Sequence, residues 1–257
     1  MEGHCIGVVG GLGPYAGLDL VKKLLDNTRA VHDQDHVRVM LHSFPGDVPV
    51  RPEFLLGLTT ENPGLVIGDI MLGLARAGAD IIGMPCNTAH SPRILDVALE
   101  RLRSGGGERV RFVHIVDAAV AQVARVCRPG GSVGLMGTVA TLRPRLVQDA
   151  LEQAGFVPVV PDGAGCRAVQ DAISNEAYGI KAASSPVTCM ARQLLLDVAG
   201  GLARRSVDCL LLGCTEIPLA LTEPTCHGVP VVDATGALAR ELLRACAPDR
   251  LMPEHVR

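Results

Sequence analysis

ADIIGMPCNT, residues 79–88, combines a short apolar run with a cysteine placed directly behind it. The run is typical of a buried strand, so Cys86 is predicted to lie in the turn that follows. VDCLLLGCTE, residues 207–216, repeats the arrangement 128 positions later, with Cys214 in the place of Cys86. In each copy an aspartate opens the strand, six residues before the cysteine. The chain therefore contains the same strand-and-cysteine pattern twice.

A second pair of segments indicates the same repeat. CIGVVGG at 5–11 resembles SVGLMGT at 132–138, which lies 127 positions later. Two nearly equal spacings at corresponding strand ends indicate an internal duplication, although strands of parallel α/β sheets also resemble one another because all of them are apolar. Turn-rich breaks at 104–109 (SGGGER) and 127–131 (CRPGG) suit a boundary between two lobes.

Alternation of apolar runs with helical stretches is typical of parallel sheets covered by helices. The sequence therefore predicts an α/β fold of two similar lobes, each a short, mainly parallel sheet flanked by helices, related by a pseudo-twofold axis with the active site in the cleft between them. The first lobe is expected to hold residues 1–116 and 229–257, and the second residues 117–228. The predicted strands are CIGVV (5–9), VRVML (37–41), DIIGM (80–84), RFVHIV (111–116), SVGLM (132–136), VPVV (157–160), VDCLLL (207–212) and VPVV (229–232).

Composition excludes several classes of function. The 257 residues carry a formal net charge of -3, so there is no basic surplus for a phosphate backbone and nucleic acid is not an expected partner. The start, MEGHCIGVVGGLGP, lacks the positive region of a signal peptide. No apolar run reaches the roughly 18 residues that span a membrane, so no membrane association is expected. Nine cysteines without a disulfide-like framework fit free thiols in a reducing compartment, which predicts a cytoplasmic location.

The two repeated cysteines suggest a particular chemistry. Ligands bind outside the carboxyl ends of parallel strands, where Cys86 and Cys214 are both expected. Each is followed by a predicted helix start, with Pro92 or Pro218 in the first turn, and the helix amides and dipole favour a thiolate. Two facing thiols suit removal of a proton from one face of a carbon and delivery of a proton to the other face, which is racemisation or epimerisation.

Four segments, in order along the chain, resemble a known family. GVVGGLGPYAG, PCNTAH, NEAYGIK and GCTEIPL are similar to motifs of the aspartate/glutamate racemases, and the resemblance covers essentially the whole chain. It implies two α/β lobes, a two-thiol mechanism without a cofactor or a metal, a small amino-acid substrate and a homodimer. Glutamate rather than histidine at position 216 resembles the aspartate-racemase branch.

The resemblance also implies contacts with the substrate. Arg51 matches an arginine that contacts the distal carboxylate in aspartate racemases, and Lys181 matches a lysine with a similar contact, so both favour an acidic side chain. The family usually has aspartate where this chain has Val50, which leaves that preference open. Catalysis is assigned to Cys86 and Cys214. The expected substrate-binding residues are Gly11, Leu12, Gly13, Arg51, Asn87, Thr88, Lys181, Thr215 and Glu216.

Cofactor and metal sites are less well supported by the residues. GGLGPYAG resembles a nucleotide-binding loop, but the spacing from Gly11 through Gly13 to Gly17 is one residue too long for the dinucleotide pattern. Cys86 and His90 have a spacing that suits metal ligands, yet no second pair completes a set of four. Lys181 is the only plausible lysine for a pyridoxal phosphate Schiff base, and no phosphate-binding loop precedes it.

Three alternatives to an aspartate or glutamate racemase stay open. A cysteine hydrolase could use Cys214 with Glu216, or Cys86 with His90, but would leave the other cysteine without a role. A racemase, isomerase or decarboxylase of related fold could act on another carboxylate-bearing substrate. A two-lobed amino-acid-binding protein would share the fold and perform no turnover. The favoured hypothesis is a racemase of L- and D-aspartate, or of glutamate or a related amino acid.

Overall fold

Short apolar runs form the strands in the computed structural model, which describes residues 4–253. Each of the eight predicted strand segments coincides with or overlaps a strand, and one further short strand, β8, was not predicted. The strand predicted at 111–116 ends at Val113, because a helix begins at Ile115. The strands are β1 (Cys5–Val9), β2 (Arg38–His42), β3 (Ile81–Gly83), β4 (Arg111–Val113), β5 (Ser132–Met136), β6 (Val157–Val159), β7 (Cys209–Leu212), β8 (Thr225–Cys226) and β9 (Val229–Asp233).

Helices form where apolar residues recur with helical spacing, and several begin at a recognisable cap. The side chains of Asn62, Asp162 and Thr188 each accept a hydrogen bond from a backbone N–H of the first turn that follows. None of the helices within residues 4–253 is long and apolar enough to cross a membrane. The helices are α1 (Pro14–Asp26), α2 (Arg51–Leu56), α3 (Pro63–Arg76), α4 (Pro92–Ser104), α5 (Ile115–Val126), α6 (Val139–Leu142), α7 (Leu146–Gln153), α8 (Gly163–Ser174), α9 (Cys189–Ala203), α10 (Ile217–Ala220) and α11 (Ala234–Cys246).

The first of two compact units contains a four-stranded parallel sheet. The unit comprises the chain up to Pro85, Pro92–Ile115 and the chain from Leu238 onward. Its strand order is β2–β1–β3–β4, and α1 and α3 pack against the central strand β1. Ile6, Val8 and Val9 of β1 are fully buried, as expected for a strand covered by helices.

The second unit contains a five-stranded sheet and comprises Cys86–Ser91 and Val116–Ala237. The strand order is β6–β5–β7–β9–β8, with every pair parallel except β8 and β9. Apolar side chains of α8 and α9 pack onto the sheet and bury the residues of β7. Both units therefore have the mainly parallel sheet flanked by helices that the sequence predicts.

The two sheets share one register, which supports the internal duplication. Gly7 of β1 pairs with Ile82 of β3 in the first sheet, and Gly134 of β5 pairs with Leu210 of β7 in the second. Gly134 lies 127 positions after Gly7, and Leu210 lies 128 positions after Ile82, which are the two spacings found in the sequence. The duplication is therefore present residue by residue in the strand pairing.

The aspartates that open the repeated strands also make the same contact. Asp80 accepts a hydrogen bond from the backbone N–H of Cys5 at 2.8 Å, and Asp208 accepts one from the backbone N–H of Ser132 at 2.7 Å. Each carboxylate thus joins the start of one central strand to its neighbour, which explains why an aspartate occurs at both positions.

The chain passes between the units at different residues from those predicted. The sequence analysis assigned 229–257 to the first lobe, whereas β9 pairs with β7 in the second sheet. The return to the first unit takes place within α11, at Leu238. The turn Cys86–Ser91 groups with the second unit although it follows a strand of the first. Residues 1–3 and 254–257 of the predicted first lobe lie outside the described residues.

Candidate active site

Cys86 directly follows the carboxyl end of β3, as predicted, in an extended backbone conformation. A 3-10 turn, Asn87–His90, comes next, and α4 begins only at Pro92. The Nδ1 atom of buried His90 donates a hydrogen bond to the carbonyl oxygen of Cys86 at 2.8 Å. This bond fixes the backbone at Cys86 and places a proton on Nδ1 of His90. The Cys86 residue is 8% exposed.

The two residues after Cys86 provide polar groups of different kinds. Asn87 is buried, and its Nδ2 atom has no hydrogen-bond partner within the described part of the chain. Thr88 forms a hydroxyl–hydroxyl hydrogen bond with Thr141 at 3.0 Å, and Thr141 forms another with Thr138 at 3.1 Å. The chain of three threonines holds the Thr88 side chain, while Asn87 retains an unused donor.

Cys214 occupies the corresponding place after β7. It lies one residue beyond Gly213, whose backbone N–H donates to the carbonyl oxygen of Met136 at 2.7 Å. The Cys214 thiol donates a hydrogen bond to Oε2 of Glu216 at 3.0 Å, and the Thr215 hydroxyl lies 3.4 Å from the same oxygen. All three residues of this Cys-Thr-Glu segment are buried. Glu216 therefore contacts the thiol directly, which its sequence position alone could not show.

The charge state of Cys214 differs from the expectation of a helix-stabilised thiolate. Burial raises the pKa of the Cys214 thiol well above its ordinary value, and the charge of Glu216 and its hydrogen bond act in the same direction. The positive charge of Lys181 lowers this pKa, but its effect is smaller. The helix that follows, α10, has only four residues, so its dipole is a weak competitor of burial. The surroundings of Cys214 thus favour the protonated thiol over the thiolate.

Lys181 lies in an exposed position near the end of a turn-rich segment after α8. Its backbone N–H donates to the carbonyl oxygen of Ile173 at 3.0 Å, which anchors the segment on α8. Its ammonium group is close enough to influence the Cys214 thiol through charge. The structure therefore brings Lys181, Cys214 and Glu216 together in the second unit.

The glycine loop and Arg51 belong to the first unit. Gly11 has φ +80°, and a Cβ atom there would lie 3.1 Å from the backbone of Phe44. Gly13 precedes the first residue of α1. The buried Arg51 donates from Nη2 to the carbonyl oxygen of Leu12 and contacts the carbonyl oxygen of Pro49 at 3.4 Å from Nη1. Arg51 therefore ties the glycine loop to the start of α2.

The predicted residues thus fall into two sets. The first unit holds the glycine loop and Arg51, and the second holds both cysteines with the residues around them. Sequence reasoning missed Thr138 and Thr141, which support Thr88. The segment SVGLMGTVAT ends a predicted strand at Met136, so its position at a carboxyl strand end is the signal that could have indicated them. The predicted site residues that lie in the second unit are Cys86, Asn87, Thr88, Lys181, Cys214, Thr215 and Glu216.

Comparison with known proteins identifies the family. Residues 9–242 match the model of a family described as Asp/Glu/Hydantoin racemase. The broad specificity amino-acid racemase RacX of Bacillus subtilis is 23% identical over 239 residues, which cover 91% of this chain and 95% of RacX. A glutamate racemase of Beutenbergia cavernae is 28% identical over 198 residues, 72% of this chain and 59% of that protein.

Solved structures give a consistent result. The aspartate racemase of Picrophilus torridus is 29% identical, has a TM-score of 0.75, and is matched over 95% of this chain and 94% of its own. A glutamate racemase of Francisella tularensis, solved with D-glutamate, has a TM-score of 0.66 at 14% identity, which shows a shared fold. The chain therefore belongs to the Asp/Glu/Hydantoin racemase family and is an enzyme of the amino-acid racemase type that works without pyridoxal phosphate.

Proposed function

We propose that the chain interconverts the L and D forms of aspartate, or of glutamate or a related amino acid, by proton exchange between two cysteines without a cofactor. The observation that carries the proposal is the equivalent placement of Cys86 and Cys214 behind the matched strands β3 and β7. A single nucleophilic cysteine would give no reason for this repetition. A two-base reaction requires it, because a planar carbanion has two faces.

The proposed reaction balances with no other reactant. One cysteine, as thiolate, removes the α-proton, and the electron pair of the broken C–H bond remains on the α-carbon and spreads into the carboxylate. The other cysteine, as thiol, then donates its proton to the opposite face and becomes a thiolate. The enzyme ends with its thiol and thiolate exchanged, and the reverse reaction restores them. Each positioned acid or base of this kind contributes on the order of 10²–10⁴ in rate.

Glu216 supports an assignment of the resting protonation state of Cys214. Its carboxylate accepts a hydrogen bond from the Cys214 thiol at 3.0 Å, whereas the matching residue after Cys86 is Thr88, which carries no charge. We therefore assign the thiol form to Cys214 in the enzyme before substrate binds. Glu216 acts in this proposal as a positioning residue for the thiol, in addition to the substrate contact expected from the sequence.

Donors near both cysteines suit the α-carboxylate, which gains negative charge in the carbanion. Asn87 has a buried Nδ2 atom without a partner in the described chain, and the Thr88 hydroxyl is held in place by Thr141. Thr215 supplies a third donor. The amides of residues 11–13 are assigned to the same carboxylate, because the glycines at 11 and 13 carry no side chain that would keep a ligand from the loop backbone.

Aspartate is the first substrate to test. Lys181 provides an exposed positive charge whose influence reaches Cys214, and an acidic side chain would find its counter-charge there. Arg51 is assigned to the same distal carboxylate, in line with its partly unsatisfied guanidinium, since its Nε atom has no partner within residues 4–253. The aspartate racemase of Picrophilus torridus, at 29% identity, adds weight to this choice.

A broader substrate range is the second candidate. The contacts of Arg51 with Leu12 and Pro49 occupy two of its nitrogen atoms, and the neighbouring Val50 is uncharged and 47% exposed. With fewer positive charges free to bind a distal carboxylate, the site should also accept substrates with neutral side chains. Similarity to RacX, whose name records broad specificity, is consistent with this candidate. A homodimer and a cytoplasmic location complete the proposal.

Proton exchange in D₂O tests the function directly. Purified, reduced protein without added cofactor is incubated with L-aspartate and then with a panel of L-amino acids, and the α-proton signal is followed by proton NMR. We expect loss of the signal for aspartate, and no loss with the double variant Cys86→Ser, Cys214→Ser. Binding without exchange in the wild type would instead indicate an amino-acid-binding protein. Absence of exchange across the panel from a folded sample would overturn the proposal.

A further inference from the structure

Cys127 and Cys209 bring two thiols together at the end of β7 that lies away from Cys214. Cys127 directly follows α5, and Cys209 is the first residue of β7. Their Sγ atoms are 2.6 Å apart, and both residues are buried. Both belong to the second unit. The proposed racemisation gives neither thiol a role.

The two free thiols are in direct contact, and a disulfide requires two cysteine side chains that lie side by side in this way. The pair is also not inherited from the duplication, since Ile81 stands in the first sheet where Cys209 stands in the second. We propose that Cys127 and Cys209 are a site of disulfide formation, closed when the chain meets a low-molecular-weight disulfide such as oxidised glutathione.

The exchange proceeds in two balanced steps. While the chain is unfolded, the thiolate of Cys127 attacks one sulfur of oxidised glutathione and releases one glutathione thiolate. The thiolate of Cys209 then attacks Sγ of Cys127 in the mixed disulfide and releases the second glutathione. Two electrons pass from the cysteines to glutathione, and the two protein protons end on the two glutathione thiols.

Accessibility determines how the bridge forms. Both thiols are buried in the folded chain, and burial raises the pKa of each, which disfavours the reactive thiolate. Oxidant reaches both thiols readily while the chain is unfolded, and folding then selects the pair that the native structure places in contact. The bridge therefore forms during folding and is slow to form afterwards.

Closure would join positions 82 residues apart and fasten the residue after α5 to the strand that leads to Cys214. A cross-link over so long a segment restricts the unfolded chain and stabilises the folded one. We expect the bridged protein to melt about 5–10 °C above the reduced protein. The bridge does not depend on racemase activity, so its presence and the proposed function can each fail separately.

Refolding in glutathione mixtures tests the bridge. The reduced, unfolded full-length chain is refolded at graded ratios of oxidised to reduced glutathione, quenched by alkylation in denaturant, and digested without reductant. Mass spectrometry is expected to find one dominant linked peptide pair, joining Cys127 to Cys209. Recovery of both cysteines in separate alkylated peptides at every ratio, or their preferential linkage to other cysteines, would overturn the proposal.

Melting temperatures of variants supply a second readout. Cys127→Ala and Cys209→Ala should each abolish the difference between protein refolded with and without oxidised glutathione. Cys166→Ala is the matched control, because the Cys166 thiol lies in the same unit and donates its hydrogen bond to the carbonyl oxygen of Pro161 rather than to a cysteine; it should retain the full difference. Equal melting of oxidised and reduced wild-type protein would contradict the stabilising bridge even if Cys209→Ala failed to fold.

Discussion

The Cys214 thiol donates its hydrogen bond to Glu216, whereas the residue that matches Glu216 in the other repeat is Thr88, bonded to Thr141. The two cysteines thus have equivalent backbone positions and different electrostatic surroundings. A carboxylate beside a thiol opposes ionisation of that thiol. The proposed exchange needs one of the two cysteines protonated before substrate arrives, and the contact with Glu216 favours Cys214 for that state.

Replacement of Glu216 by glutamine tests this selection without substrate. Glutamine keeps an acceptor for the thiol and removes the negative charge, so the pKa of Cys214 should fall, although burial still raises it. Cys214 in Glu216→Gln should therefore be alkylated by iodoacetamide severalfold faster than in the wild type at the same pH. Mass spectrometry of the alkylated peptides, collected across a pH series, measures the change.

The control for this variant is Glu223→Gln. Glu223 lies in the same unit, forms an ion pair with Arg192 and raises the pKa of Cys226. Its replacement should speed alkylation of Cys226 and leave Cys214 unchanged. An unaltered rate at Cys214 in Glu216→Gln would show that the carboxylate does not hold the thiol proton.

Replacement of Lys181 by methionine tests the choice of an acidic substrate. Methionine keeps most of the side-chain length and removes the charge, so a substrate carboxylate loses its ionic partner. We expect kcat/KM for aspartate to fall about tenfold or more, equivalent to a loss of roughly 1.4 kcal/mol in transition-state binding. Steady-state racemisation followed by circular dichroism provides the measurement.

A substrate with a neutral side chain distinguishes lost binding of the distal carboxylate from an indirect effect of Lys181 on Cys214. The Lys181 charge also lowers the pKa of Cys214, and loss of that influence would slow every substrate equally. Contact with the distal carboxylate predicts instead a selective loss for aspartate over alanine. Lys22→Met is the matched control, since Lys22 pairs with Asp26 on the exposed side of α1, and it should behave as the wild type.

Alanine at Gly11 tests the glycine loop. Gly11 and Gly57 both have positive φ, at +80° and +77°, but a Cβ atom at Gly11 would lie 3.1 Å from the Phe44 backbone, whereas one at Gly57 would have no neighbour within 4 Å. Gly57→Ala should therefore cost only the conformational strain, about 1 kcal/mol, and Gly11→Ala about 2–3 kcal/mol. Urea denaturation measures both costs.

Activity distinguishes a local role from general destabilisation. Displacement of the loop at Gly11 should lower kcat/KM about tenfold or more, because its amides are assigned to the α-carboxylate. Gly57→Ala should keep wild-type activity. Full activity in a destabilised Gly11→Ala protein would remove the loop from the proposed site.

The strands and the family were predictable from local patterns, and the α/β fold and racemase membership are confirmed. The place that each strand takes within a sheet was not predictable in the same way. VPVV occurs at 157–160 and at 229–232, and the first forms an edge strand beside β5 while the second pairs with β7. Two identical sequences cannot by themselves indicate different positions in a sheet, because strand pairing also depends on segments far away in the chain.

The cysteine positions were also predictable, but their charge states were not. A helix start after Cys214 suggested a stabilised thiolate, while the structure buries the thiol and directs Glu216 toward it. Sequence spacing states that Glu216 is two residues away and says nothing of where its carboxylate points. The support of Thr88 by Thr141 depends likewise on contact between segments 53 positions apart.

Asp208 allows a prediction about acid stability. Its hydrogen bond with Arg128, and then that with the Ser132 backbone, hold the pKa of the Asp208 carboxyl below its ordinary value. A carboxyl with a lowered pKa in the folded state stabilises the fold at pH values above its unfolded pKa of about 3.9 and ceases to do so as pH falls through the folded value. Asp208→Asn should therefore lower the melting temperature at pH 7.

The pH dependence of this loss is the informative measurement. The difference in melting temperature between wild type and Asp208→Asn should be constant near neutrality and shrink as pH falls below about 4, where the carboxyl of the unfolded wild-type chain takes up its proton. Asp171→Asn is the control, because Asp171 is exposed on α8, and it should show little difference at any pH. A difference for Asp208→Asn that persists unchanged to the lowest pH at which both proteins fold would mean that packing, rather than the ionised carboxylate, joins β7 to β5 at this end of the sheet.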